Sequence, residues 1–137
     1  MTWERFEERK THGCEGFVVT VVLTHSHSVP YLSFNKAVRE QVLRDHSFCD
    51  LFIDRDRKRL GLRFLRQPTD LNSYKIASYK SPAQPCGASR VSMQKAFKAW
   101  GFWQNRYQRS FSRLLKNDPV QDLWWLDITP LFNGGKP

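Results

Sequence analysis

The sequence predicts a small α+β domain: a mostly antiparallel β-barrel or bent sheet with two short helices. Three observations predict it. An eight-residue motif recurs at an offset of 59. Segments with strand-like alternation flank both copies. The balance of 40% hydrophobic and 26% charged residues belongs to globular chains, not to disordered or fibrous ones. A chain of 137 residues suits one domain, taken as 1–137. Each half reads strand–strand–helix–strand–strand, over about 17–66 and 74–128, with a pseudo-twofold axis between the halves and a connecting loop over about 67–89.

The elements follow in order. An N-terminal strand is expected around Trp3 to Glu8, and a second from Phe17 to Thr24. The motif Leu32-Ser33-Phe34-Asn35-Lys36-Ala37-Val38-Arg39 then recurs as Val91-Ser92-Met93-Gln94-Lys95-Ala96-Phe97-Lys98. Ser33 and Ser92, or the following Asn35 and Gln94, stand where a helix start needs acceptors for its free N–H groups. Both helices are short, about two to three turns, ending near Asp45 and Gly101. Asp50 to Asp54 and Leu60 to Leu65 read as strands joined by the polar turn Arg55 to Arg59. Tyr74 to Lys80 opens the second half, where Tyr74, Ile76 and Ser78 alternate with Lys75 and Ala77. Ser81 to Gly87 reads as loop, because its prolines cannot join a central ladder. Ser110 to Leu115 and Leu123 to Ile128 close the chain, joined at Lys116-Asn117-Asp118-Pro119. There an Asx side chain caps the backbone and proline presets φ.

The segment Tyr31-Leu32-Ser33-Phe34-Asn35-Lys36-Ala37-Val38-Arg39-Glu40, with the charged hairpin after it, resembles the AbrB/MazE swapped-hairpin family. The resemblance covers about residues 30–66, with an echo at 90–128; Asn35 and Gln94 stand where that family has a proline. It implies a cradle-loop β-barrel with two interlocking halves that binds DNA through basic residues on one face. A tandem duplication would then replace the family's dimer. By the same resemblance, Lys36 and Arg39, and by repeat Lys95 and Lys98, are candidate contacts.

The charge is concentrated. Lys and Arg total 22 against 13 Asp and Glu, a net charge of +9. Residues 55–66 hold six basic side chains and one acidic, and residues 89–116 hold seven basic and no acidic, so these two segments carry more than the whole net charge. Such a balance points to a polyanionic partner. The turn bearing Arg55, Arg57, Lys58 and Arg59 presents four cations within five residues, suited to a phosphate backbone; as a solvated turn it needs no partner. In the second segment, Arg106, Arg109 and Arg113 are phosphate candidates and Trp103 and Tyr107 candidate base-stacking faces. Phe97 and Trp100, at helical spacing, read as core. Trp124 and Trp125 must face opposite sides of a strand, one of them inward.

Other classes find less support. His12, Cys14, His25 and His27 have a spacing that sketches a zinc site, yet without the usual two-residue cysteine gap, and no metal or cofactor is expected. Asp45 beside His46, or His25 and His27 near Arg39, offer acid–base groups for a nuclease, a lesser alternative to a non-enzymatic chain. Three scattered cysteines suit a reducing compartment, and no apolar run is long enough to span a bilayer or serve as a secretory signal, so a cytoplasmic protein is expected. The sequence thus predicts a basic DNA- or RNA-binding protein, regulatory or accessory, monomeric or homodimeric. The rival is a phage or mobile-element protein that docks on a protein or a ribonucleoprotein, such as a CRISPR effector, as inhibitor or accessory subunit.

Overall fold

The computed structural model describes residues 16–23, 29–81 and 84–132, with side chains for all of these except 78–81, 84–88 and Tyr107. The expected Trp3–Glu8 strand, Thr24 and the quartet His12, Cys14, His25 and His27 lie outside the described residues. The elements run β1 (Val18–Val22), β2 (Tyr31–Phe34), a π-helical segment (Val38–Leu43), β3 (Phe48–Asp54), β4 (Arg59–Leu65), β5 (Tyr74–Lys75), β6 (Ala77–Ser81) and β7 (Gln84–Ser92). Then come α1 (Gln94–Trp100), a 3-10 segment (Trp103–Tyr107), β8 (Phe111–Leu114), β9 (Lys116–Asp118), β10 (Leu123–Asp127) and α2 (Thr129–Phe132).

The protein is α+β. Its described strands form two five-stranded sheets, ordered β6-β7-β2-β1-β8 and β5-β3-β4-β10-β9, with every pairing antiparallel. They do not close into one barrel. The chain instead crosses between the sheets at Ile76 and at Leu115, both buried. At those points the ladder gives way to single bonds, Ile76 N–H to the Ser47 carbonyl (2.8 Å) and Leu115 N–H to the Phe17 carbonyl (2.7 Å).

Period-two alternation explains which face of each strand is buried. Val19 and Val21 of β1, Leu32 and Phe34 of β2, and Leu60 and Leu62 of β4 are buried, and so are Val91, Met93 and Leu126. Rings interlock across the two sheets, Phe34 edge-on to Phe64 (5.8 Å) and Phe17 edge-on to Trp124 (5.4 Å). Phe97 of α1 is fully buried, and Trp100 packs against the core. The helix starts use the expected acceptors: Asn35 Oδ1 takes the Val38 N–H at 3.0 Å and Ser92 Oγ takes the Gln94 N–H at 3.4 Å. Gly101 ends α1 at φ 87°, a conformation in which any Cβ is strained.

Expectations for two segments are corrected. The connecting loop is not 67–89, because β5, β6 and β7 occupy most of it. Pro85 is tolerated there, since it falls between the paired positions Gln84 and Ala88 while the β2–β7 pairing spans Ser89–Ser92. The second-half turn is not Lys116–Pro119. Lys116 to Asp118 pair with β10, and Asp118 Oδ1 caps the Val120 and Gln121 N–H groups (3.1 and 3.2 Å) one step later. The first helix ends at Leu43, near Asp45 as expected, and is wound wide, with the Arg44 N–H reaching the Arg39 carbonyl five residues back. His46 Nδ1 lies 3.0 Å from the Leu43 carbonyl, a hydrogen bond to the backbone.

Candidate nucleic-acid interface

The charged turn between β3 and β4 is built by its own backbone needs. Asp54 Oδ1 accepts the Arg57 N–H at 3.1 Å, and Lys58 adopts φ 58° to reverse the chain. The Lys58 carbonyl accepts the Ile128 N–H, which ties the turn to the end of β10. Arg55 Nη2 donates to the carbonyl of Trp100, the last residue of α1 (3.1 Å). The tip is therefore held at both ends.

β4 pairs in register with β10, Arg59 opposite Asp127 and Gly61 opposite Trp125; β10 pairs with β9, Trp125 opposite Lys116. Residues paired this way share a face. Arg59, Trp125 and Lys116 thus come together on the outside of the second sheet. The Arg59 guanidinium stacks 3.7 Å from the Trp125 ring centre, and Lys116 Nζ lies 5.2 Å from the same ring. Arg113 arrives from β8 at the seam between the sheets. An open groove of ≈ 590 Å³ results, lined by Arg57, Arg59, Arg113 and Lys116, with Trp125 and Leu114 as its apolar part and Asp127 as its carboxylate. Hydrogen bonds from the Thr129 hydroxyl and backbone N–H hold the Asp127 carboxyl below the usual carboxylate range, against a slight opposing effect of burial, with Arg113 and Arg59 adding to the lowering. Asp127 stays ionised, and four cations share the groove with it.

A second groove of ≈ 510 Å³ adjoins the first along Arg57, Arg59 and Trp125 and is lined further by Phe52, Gly61, Arg63 and Leu123. Carboxylates of Asp54, Asp56 and Asp118 also line it. Arg63 is anchored, its Nε and Nη2 donating to the carbonyls of Asp122 and Gln121 (3.1 and 3.0 Å).

Of the sequence candidates, Arg57, Arg59 and Arg113 meet in the first groove, and Arg55 lines the second. Lys58 lies 6.0 Å from the Phe132 ring instead. Trp103 does not line either groove; Lys98 and Arg106 lie over its ring at 4.7 and 4.3 Å, and Arg106 Nη1 also donates to the Trp103 carbonyl. Arg109 is exposed between the 3-10 segment and β8, and the Tyr107 side chain lies outside the described residues. Lys36 pairs with Glu40 (3.8 Å) in the open, a contact that contributes little. Lys95 lines a separate groove between α1 and residues 71–75. Arg39 is half-buried and lines neither groove. Sequence reasoning did not select Lys116, Arg63 or Phe52. Alternation alone puts Arg63 on the Arg59 face, whereas Lys116 joins it only through the β9–β10 register.

Among the described residues, no group of three His, Cys, Asp or Glu side chains stands close enough to hold a metal, and no helix is long and apolar enough to cross a membrane. No family model, no curated protein and no solved structure matches the chain.

Proposed function

We propose that the chain is a non-enzymatic nucleic-acid-binding protein that grips phosphates in the groove between β8, β9, β10 and the β3–β4 turn. The observation that carries this reading is the convergence of Arg57, Arg59, Arg113 and Lys116 on one groove holding a single carboxylate. These residues are up to 59 positions apart in sequence, so their meeting is a property of the fold. Three of the four are arginines, whose planar fork matches phosphate oxygens.

In the same reading the domain is a duplication, with β1–β2 answering to β6–β7 and the Val38–Leu43 segment to α1. Support comes from two pairings that join like to like, β2 with β7 and β4 with β10, both antiparallel as a twofold axis between the halves requires. The AbrB/MazE-like motif fits this reading through Lys36 and Lys95 at the two helix starts, as a secondary contact set. Monomer and homodimer are both compatible with it.

Binding measured at several salt concentrations tests the proposal. Four phosphate contacts give a slope of about −3 to −4 in log K against log salt on duplex DNA. Replacing Arg57, Lys58 and Arg59 by Ala makes the slope shallower by about two, and Lys116→Ala by about one. An unchanged slope in the triple variant removes the turn from the site. No binding to single-stranded DNA, duplex DNA or RNA at low salt overturns the reading in favour of a protein or ribonucleoprotein partner for this basic, aromatic face.

A further inference from the structure

We propose that the second groove seats one unstacked base of a single-stranded polynucleotide, while the first groove holds its phosphates. The inference rests on the phosphate-binding reading and assigns a strand type to it.

Four outward residues form one row across four strands: Phe52, Gly61, Trp125 and Lys116. Gly61 has no positive φ to explain it. Packing explains it instead. A Cβ there would stand 3.3 Å from Phe52 Cβ and 3.5 Å from Leu123 Cδ1, so the missing side chain lets Phe52 and Leu123 close over β4. The result is an apolar floor in which Phe52 remains 39% exposed. Arg59 and Arg63 stand two positions either side of Gly61 and share its face. Each guanidinium lies over a ring, Arg59 over Trp125 at 3.7 Å and Arg63 over Phe52 at 5.2 Å.

Charge divides the two grooves. The first sets four cations against one carboxylate, while in the second Asp54, Asp56 and Asp118 stand against Arg55, Arg57, Arg59 and Arg63. Phosphate is favoured in the first, where cations outnumber carboxylates four to one, and less so in the second, where the two are nearly balanced. What suits the second is an uncharged flat ring, which gains from stacking on aromatic and guanidinium planes. In a duplex those ring faces are already covered by neighbouring base pairs. A single strand presents them.

Fluorescence anisotropy with four labelled probes of equal length tests this: oligothymidylate, oligouridylate, an abasic deoxyribose-phosphate chain and a duplex. The expected result is that oligothymidylate or oligouridylate binds about tenfold more tightly than the abasic chain. Phe52→Ala removes a stacking surface, and Gly61→Ala lifts Phe52 and Leu123; each brings the base-to-abasic ratio towards one. Phe52 is partly exposed, so its variant carries the test if Gly61→Ala fails to fold. Equal affinity for the base-bearing and abasic chains, or tighter binding of the duplex, overturns the base site and leaves the phosphate groove standing. Failure to bind any probe at low salt overturns both.

Discussion

Cys49 shows how burial sets the chemistry of one side chain. It is fully buried on β3, and burial, aided by the charge of Asp50, pushes its thiol up to about 12. An ordinary thiol in the unfolded chain ionises near 9. Between those values the folded state keeps a proton that the unfolded state has lost. Ionisation there favours unfolding, and this contribution to stability falls as pH rises from about 9 towards 12. Below that window the thiol is neutral in both states and contributes nothing to the pH dependence. Peptide-resolved alkylation at pH 8 should therefore find Cys49 unreactive in the native protein and reactive in urea. Rapid native labelling would contradict the burial. Asp127 is the opposite case, a carboxyl lowered by Thr129, so any stability it contributes is lost only as pH falls through that depressed value.

The helix ends depend on single groups. Asn35 serves two segments at once, its Oδ1 accepting from Val38 N–H and its Nδ2 donating to the Gly16 carbonyl (3.2 Å). Asn35→Ala is expected to cost about 1 kcal/mol, the usual magnitude for a lost cap. Gly101→Ala is expected to cost about 1 kcal/mol for a different reason: no atom lies within 4 Å of the added methyl, so the loss is backbone strain at φ 87°. Urea denaturation of both variants measures these values, and a Gly101→Ala protein as stable as the parent would argue against the left-handed cap. The strand elements were largely legible in the sequence. Strand-like patterning located β1, β4 and β10, while proline content misled at β7 because a proline is harmless where it breaks no pairing.

For the whole molecule, charge and salt act on folding and binding with opposite signs. A net charge of +9 repels itself in the compact state, so screening favours folding. The same screening weakens the proposed hold on phosphates. Raising salt from 0.1 to 0.5 M should raise Tm by a few degrees at most, while the proposed nucleic-acid affinity should fall by orders of magnitude. A Tm that falls with salt would mean that attractive pairs within the fold outweigh the repulsion.

Local pattern alone determined the α+β class of the domain, the helix starts and the inward faces of several strands, since alternation and capping depend on neighbours in the chain. It also marked the turn at 55–59 as basic. Only the tertiary structure decided that Arg113 and Lys116 join that turn while Lys36, Lys95 and Trp103 stand apart from it. Which residues share a groove depends on strand register and on where the chain passes from one sheet to the other. Those are long-range pairings, set by the packing of two sheets about a common core rather than by any local stretch of residues.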